Sequence, residues 1–539
     1  MSPTRWVLAR AMSLLCLAVA CAATTAWAQF FDPTLRALDL GTGELARSPR
    51  LLGMGGLSLV IPDRNTSYSL WDLSGIPVGL SGDDTTSTMD VRPGTDALSA
   101  VTRIPPDRER QVLASRRTAA QIEAVYRSRE SGGLFGIVGD LSSLRWDQPF
   151  AATVERRESL VHPEAMAILG GEVPRFFDHH LRWGAHLRFR GETVEDQFRE
   201  IVSNAAGEYI DLAGGELRPP GEFVPTSTDV NTSASGVSTS YALGKGTQIA
   251  IGIERENDRI HSTNDQQRSS AEFQEKRPYW NGQAAMVGRF GKTLEWGVAG
   301  IGRLAKSEAD WRFTASAGVG ADPLTGRGNM LSRDERSSEM TARVRWSPGR
   351  ATFAGSLHTE ASKVLIDPPD ANDPTSLNRF IRDAFNRANA DTLSLPDSVV
   401  HGESRRYAVS WGGGAGYRLG RTTIGGEVHW ARDVRTTLQQ GEGPRRIVWD
   451  VRAGLERPLG AQLKGRLGYA YRHLDEDDFT ANNEFEAQSA SVGLGYAPAR
   501  TSWSLESAYR LEVRSQDFQS PADERQSRHN VAVELHWVF

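Results

Sequence analysis

The last ten residues of the chain alternate between polar and apolar side chains, apart from Val538. The apolar set comprises Val531, Val533, Leu535, Trp537 and Phe539. Because successive side chains of a β-strand point to opposite faces, this period of two residues predicts a strand with one apolar and one polar face. An amphipathic edge strand at the end of a soluble β-sandwich is the alternative.

The same alternation recurs upstream and predicts further strands. Clear examples lie at 181–190, 294–304, 424–430, 447–456, 463–472 and 503–512. Short turns containing Gly or Pro lie near 243–246, 290–292, 347–350, 419–421, 458–460 and 498–500. Long polar connections lie between them, near 200–232, 262–278, 317–336, 367–403, 475–484 and 516–528. Short turns at one end and long loops at the other are typical of outer-membrane β-barrels.

The strand count follows from working backward from Phe539. About 15 strands are clear as far as residue 164, and weaker candidates lie at 115–128, 134–145 and 150–157. Because bacterial single-chain barrels have an even number of strands, we predict an all-β membrane fold, a closed antiparallel barrel over residues 113–539. We expect about 16 strands, within a range of about 14 to 18.

Charged residues of both signs fall on the polar faces of these strands. The phasing points Arg452, Arg466, Glu254, Glu427 and Glu456 inward. A lining of one sign would predict an ion-selective pore, whereas mixed signs favour cross-strand ion pairs. We expect a lumen braced by such pairs, and a substrate-binding patch is the alternative.

Residues 1–28 have the organisation of a secretory signal peptide. A basic start with Arg5 and Arg10 precedes an apolar core at 11–20 and the cleavage pattern Ala26-Trp27-Ala28. Cys21 offers a lipoprotein site as an alternative, although the Leu expected three places earlier is absent. Both cysteines of the chain lie in this segment, so the mature protein would contain none and could form no disulfide or thiolate metal site.

Residues 29–112 lack the strand pattern and contain seven prolines. Within them, Gly53-Met54-Gly55-Gly56 leads into an apolar run, followed by Asp63 and then Trp71-Asp72-Leu73-Ser74-Gly75-Ile76. This motif resembles the N-terminal hallmark of the outer-membrane long-chain fatty acid transporter (FadL-like) superfamily, which includes PorV-like relatives. In that family, Gly-Met-Gly-Gly, an apolar run and Asp precede Trp-Asn-Pro-Ala-Gly-Leu. Here Asp72, Leu73 and Ser74 replace Asn-Pro-Ala.

The resemblance implies that residues 29–112 form a hatch that plugs the barrel. Its candidate residues are Gly53, Met54, Gly55, Gly56, Asp63, Trp71, Asp72 and Gly75. The glycines allow close backbone approach and positive φ, as a segment folded inside a narrow lumen needs. A periplasmic extension that merely precedes the first strand is the alternative.

The connection at 367–403 contains a predicted amphipathic helix near 374–389. Asp373-Pro374 provides a helix start, and Leu377, Phe380, Ile381 and Phe385 then recur at helical spacing. Such an apolar stripe packs on the barrel mouth, on lipid or on a hydrophobic ligand. We regard these four residues as a candidate loop site for an apolar solute, and a helix that caps its own barrel as the alternative.

No sequence motif supports catalysis. The chain has no Gly-x-Ser-x-Gly, no His cluster at metal-ligand spacing and no phosphate-binding loop, so we expect no enzyme, cofactor or metal. The net charge of −5 gives no basic excess for nucleic acid.

Together these features predict a protein of the outer membrane of a Gram-negative bacterium. Its expected partners are outer-membrane lipid, periplasmic chaperones, and the barrel assembly machinery, whose terminal aromatic signal Leu535, Trp537 and Phe539 resemble. The favoured function is a passive uptake channel for hydrophobic solutes of the FadL-like type. A non-transporting structural, surface-assembly or attachment barrel, like the PorV-type relatives, is the alternative.

Overall fold

The computed structural model describes residues 49–60 and most of residues 88–538. The remaining gaps are 105–107, 128–132, 151–153, 177–178, 201, 204–208, 211–223, 244–246, 267–268, 292, 316–323, 368–401, 438–440, 479–480 and 519–523. The predicted signal peptide, the candidate residues Asp63, Trp71, Asp72 and Gly75, and the predicted helix at 374–389 therefore lie outside the described residues.

Eighteen long strands follow a short helix, α1, at Pro49–Gly53. The first nine are β1 Thr88–Ile104, β2 Arg108–Arg127, β3 Leu134–Phe150, β4 Val154–Phe176, β5 His179–Glu200, β6 Val224–Ala242, β7 Thr247–Gln266, β8 Ser269–Phe290 and β9 Leu294–Ala315. The second nine are β10 Leu324–Trp346, β11 Ala351–Asp367, β12 Gly402–Leu419, β13 Thr422–Thr437, β14 Gly441–Pro458, β15 Leu463–Asp478, β16 Ala481–Tyr496, β17 Trp503–Phe518 and β18 Glu524–Val538. A separate two-residue pairing joins Val202–Ser203 to Tyr209–Ile210.

Each long strand pairs antiparallel with its neighbours in sequence, and β1 pairs with β18 to close the ring. The predicted class of fold, a closed antiparallel barrel, is therefore confirmed. The described residues form 18 barrel strands, which differs from the expected 16 and lies at the upper limit of the predicted range of 14 to 18. Closure pairs the backbone groups of every edge, which a chain crossing lipid requires. Among the described residues, no helix is long and apolar enough to cross a membrane.

The difference in strand number arises at the N-terminal end. The weak candidates at 115–128 and 134–145 are the real strands β2 and β3, and β1 begins at Thr88, before the predicted barrel boundary at 113. Pro93 and Gly94 are untypical of the interior of a strand, so the sequence pattern does not identify β1. The ladder between β1 and β18 omits Arg92 and Pro93 and resumes at Gly94, so the barrel accommodates the missing N–H of proline by a local interruption.

The two faces of the wall differ as the alternation predicts. Along β14, for example, Trp449 and Val451 are exposed on the outward face, whereas Asp450 and Glu456 are buried on the inward face. Aromatic residues gather near the short turns, where Trp346 stacks on Phe353 with ring centroids 5.6 Å apart. An apolar outward surface with interfacial aromatics is suited to a lipid bilayer.

Both ends of the barrel chain lie at the short-turn end, because Thr88 pairs with Val538. In outer-membrane barrels the short turns are periplasmic and the long loops external.

Candidate functional site

Residues 49–60, here called the lumenal segment, lie against the inward face of the wall. Helix α1 contacts β15, β16, β17 and β18. The rest of the segment continues across the wall as far as β12 and β11, where Val60 approaches Gly414 and the apolar side chains of the segment pack against Ala354. The segment therefore runs crosswise to the strands.

A helical turn and two glycines set the shape of this segment. The amide of Met54 donates to the carbonyl of Leu51 (3.1 Å), and the amide of Gly56 donates to the same carbonyl (2.8 Å). Gly55 and Gly56 have φ values of 75° and 84°, in the left-handed region that glycine adopts without strain. A side chain at Gly55 would also lie 2.8 Å from the carbonyl oxygens of Ala453 and Tyr469.

The wall beneath the segment is made of small residues on the inward face. A Cβ added at Gly454 would overlap the carbonyl of Met54, and one added at Gly468 would overlap the amide nitrogen of Gly55. Further small positions in contact with the segment are Gly412, Gly414, Gly416, Gly493, Ala508 and Ala532. These residues form a trough that only a closely approaching backbone can fill.

Apolar side chains of the segment are buried in two places. Met54 and Leu57 are both 0 % exposed and pack with Val60 and Ala354. Leu52 packs with Ala508 and Ala532. Leu51 and Leu59 are buried as well, and the burial of these apolar side chains favours packing of the segment against the wall.

Four wall residues bind the polar groups of the segment. Glu427, 2 % exposed, accepts the consecutive amides of Ser58 (3.0 Å), Leu59 (2.6 Å) and Val60 (2.9 Å). Three donors to one carboxylate compensate for its burial, and such charge-assisted bonds are the strong ones. His429 Nε2 also lies 3.0 Å from Glu427 Oε2.

The other three wall residues, Glu456, Arg452 and Ser491, bind the segment nearer to α1. Arg50 pairs with Glu456 through two bonds of 2.9 and 3.1 Å. Arg452 Nη1 donates to the carbonyl of Gly56 (2.6 Å), and Ser491 Oγ accepts the amide of Gly55 (3.1 Å). The segment is thus held along its whole described length.

Acidic and basic side chains form ion pairs on the wall around the trough. Asp450 pairs with Arg452 and Arg472, both at 2.8 Å, and Arg466 bridges Glu456 and Glu506. A second network on β5, β7 and β8 joins His186 to Glu254 (2.6 Å) and Arg188 to Glu256 (2.9 Å). The expectation of a lumen braced by cross-strand ion pairs is confirmed in these strands.

The structure brings together only part of the predicted site. Gly53, Met54, Gly55 and Gly56 all lie in the trough. Leu535 and Trp537 lie on β18, with Trp537 exposed outward beside Trp503, and Phe539 lies outside the described residues, as do Leu377, Phe380, Ile381 and Phe385. The sequence predicted that Glu427 points into the lumen but not what it binds. It did not identify Ser491 or the trough glycines, and the one feature that could have indicated these glycines is their position on the inward face of strands.

One group of side chains could offer metal ligands. Ligand atoms of His473, Asp475 and Glu484 lie within 4.8 Å of one another. These residues face outward near the external end of β15 and β16, and the two carboxylates are exposed. The group is separate from the trough, and exposed acidic groups of this kind are common without an ion.

Comparison with known proteins gives matches at the level of structure. No protein family and no curated protein sequence matches the chain. The ferric yersiniabactin uptake receptor FyuA of Yersinia pestis has a TM-score of 0.42 and 8 % identity, over 85 % of this chain and 80 % of its own. The toluene transporter TodX of Pseudomonas putida has a TM-score of 0.37 and 10 % identity, over 90 % and 96 %. A FadL homologue of Pseudomonas aeruginosa has a TM-score of 0.31 and 10 % identity, over 89 % and 99 %.

The barrel itself defines the class of protein. An even-stranded closed antiparallel barrel, apolar outside and polar inside, is the architecture of the Gram-negative outer membrane. The predicted localisation is confirmed, and the chain is an outer-membrane β-barrel.

Proposed function

We propose that this protein is a passive channel for hydrophobic solutes of the FadL-like type, with the N-terminal segment before β1 as its hatch. The observation that supports the proposal best is the lumenal segment in its glycine-lined trough. A segment that crosses the inner wall over several strands narrows the path through the barrel, so its displacement would widen that path.

The height of the trough supports a role in release to the periplasm. Gly416, Gly468 and Gly493 each lie within about five residues of the short-turn end of their strands. At about 3.4 Å per residue and a strand tilt near 40°, this places the segment roughly 8–13 Å above the short turns. A hatch at this height would close the periplasmic half of the lumen.

The proposed mechanism needs no energy input. A solute would be captured at the external loops, where the predicted helix near 374–389 offers Phe380, Ile381 and Phe385. It would then diffuse down the lumen, displace the hatch and leave inward or laterally. Displacement would break the hydrogen bonds from the amides of residues 58–60 to Glu427, the Arg50–Glu456 pair and the apolar contacts of Met54 and Leu57.

A non-transporting scaffold is the second candidate, and one observation favours it. Ion pairs occupy much of the described lumen wall, as in the bridge from Arg466 to Glu456 and Glu506. Such pairs stiffen the wall, and they do not form a continuous apolar path for a solute.

The two candidates differ in solute uptake. We would express the protein in a Gram-negative host that lacks its own fatty acid channel and measure uptake of radiolabelled oleate and toluene. Transport predicts uptake above that of cells with an empty vector, and a further rise in the Gly468→Ala variant, whose added Cβ overlaps Gly55. Uptake equal to the empty vector for both solutes and both proteins would reject the channel in favour of the scaffold.

A further inference from the structure

A crevice of about 530 Å³ opens on the wall formed by β10, β11, β12 and β13. Its position follows from the strand register. Met340, Thr359, Val409 and Arg432 are successive register partners on these four strands, and they form one cross-strand row. Met340 is 45 % exposed and belongs to the outward face, so the row faces lipid and not the lumen.

The crevice exists because small side chains lie between large ones. Thr359 and Ala361 on β11 form its floor, and Ala361 is the register partner of Tyr407 on β12. Met340 and Tyr407, the latter 53 % exposed, form the walls. A volume of this size is typical of a site for a small ligand or for part of a lipid.

The crevice lies at the external edge of the apolar belt. Tyr407 and Tyr417 both face outward on β12, ten positions apart, and Tyr417 lies next to the short turns. At about 3.4 Å per residue and a tilt near 40°, the two tyrosines are separated by roughly 25 Å along the membrane normal, the height of the apolar band of such barrels. Tyr407 is therefore at the level of the external lipid headgroups.

Among the described residues that line this crevice, Arg432 is the only cationic one. It is exposed, and its register partners are the apolar Val409 and Ile447. Within the described part of the chain, no carboxylate lies at ion-pair distance from it. A guanidinium facing lipid without a protein carboxylate is a binding group for a phosphate.

The two carboxylates at the edge of the crevice do not alter this conclusion. Glu360 belongs to the inward face, where it pairs with Arg406 at 2.9 Å. Glu339 is also inward and lies 3.7 Å from His358 Nδ1. Neither compensates the charge of Arg432.

We propose that this crevice binds one anionic lipid of the external leaflet. Its phosphate pairs with Arg432, and one acyl chain lies along Thr359 and Ala361 between Met340 and Tyr407. The site opens to lipid, so it does not depend on whether the lumen transports anything. An uncharged hydrophobic solute would use the apolar walls but leave Arg432 unpaired.

Native mass spectrometry of the purified barrel, titrated with lipid A, tests the proposal. The variant Arg432→Gln removes the cation, and Ala361→Trp fills the floor. Arg336→Gln is the matched control, because Arg336 faces outward on β10 but already pairs with Asp334 at 3.2 Å. Heat-modifiable mobility in gels confirms that each variant folds.

We expect one bound lipid A, at least fivefold weaker binding by Arg432→Gln and Ala361→Trp, and unchanged binding by Arg336→Gln. Lipid A without phosphates should bind wild type as weakly as lipid A binds Arg432→Gln, and inorganic phosphate should not compete at equal concentration. Equal binding of lipid A by wild type and Arg432→Gln would overturn the proposal. Equal binding of the dephosphorylated lipid, or competition by inorganic phosphate, would do so as well.

Discussion

The contact between Gly468 and the lumenal segment gives a direct way to unseat the segment. In the variant Gly468→Ala, the added Cβ overlaps the amide nitrogen of Gly55 and the carbonyl carbon of Met54, and it lies 2.5 Å from Ser491 Oγ. Two of these atoms are backbone, so no side-chain rotation relieves the overlap. The segment must move away from the wall.

The magnitude follows from the cost of overpacking. Inserting a methyl group into a well-packed contact costs about 1–3 kcal/mol. Because 1.4 kcal/mol is a factor of ten in an equilibrium, this cost favours the unseated form by about 5- to 150-fold. The strands should be unaffected, since alanine is compatible with β15.

Hydrogen exchange measured by mass spectrometry reports the outcome. Peptides covering 49–60 should exchange faster in Gly468→Ala by about 5- to 150-fold, because the amides of Ser58, Leu59 and Val60 lose protection by Glu427. The matched control is Gly413→Ala, since Gly413 faces outward on β12 and an added Cβ meets no described atom within 4 Å. Equal exchange of residues 49–60 in both variants would refute the close contact at Gly468.

Three further substitutions probe the same seat. Glu427→Gln replaces one carboxylate oxygen by an NH₂ group, which cannot accept the hydrogen bond from the amide of Ser58. Hydrogen exchange at residues 58–60 should therefore become faster by a factor equivalent to about 1–3 kcal/mol. Unchanged exchange at these residues would contradict the proposed binding of their amides by Glu427. Arg50→Ala removes the bidentate pair with Glu456, and Glu456 keeps its bond from Arg466. We therefore expect the seated segment to lose only about 1 kcal/mol of stability, and its brief openings should appear as conductance steps in planar bilayers. The surface control Arg500→Ala should show no such steps. Gly55→Ala places a side chain at a residue with φ of 75° and 2.8 Å from the carbonyl oxygens of Ala453 and Tyr469. We expect this variant to show conductance steps more often than Arg50→Ala in the same recordings. Fewer steps than in Arg50→Ala would contradict the close packing of Gly55 in the trough.

The sequence predicted the barrel well wherever one strand face meets lipid. Along β14, the alternation identified Trp449 and Val451 as outward and Asp450 and Glu456 as inward, and the structure agrees. It failed where both faces meet water. Residues 262–278 and 475–484 resembled long loops, yet β7 continues to Gln266, β8 starts at Ser269, and β15 continues to Asp478. Beyond the bilayer a strand keeps its ladder bonds without an apolar face, so the pattern vanishes although the strand persists.

The site was less predictable than the fold, for a topological reason. The motif glycines at 53, 55 and 56 were visible as a local run, but their partners are far away in sequence. Ser491 lies 436 positions from Gly55, and Glu427 lies 369 positions from Ser58. Register around a closed barrel brings these residues together, and periodicity within single strands does not determine which glycine faces which segment.

The central claim is that the lumenal segment is seated on the inner wall, and cross-linking in intact outer membranes tests it most directly. Both cysteines of the chain lie within residues 1–28, so introduced cysteines would be the only ones after cleavage of the predicted signal peptide. The pair Leu52→Cys and Ala508→Cys joins two residues that pack together on the inward face. The control pair, Leu52→Cys with Tyr509→Cys, uses the next residue, which faces outward. A short thiol cross-linker should join the first pair and not the second; a first pair that remains unlinked, or equal linking of both, would contradict the account.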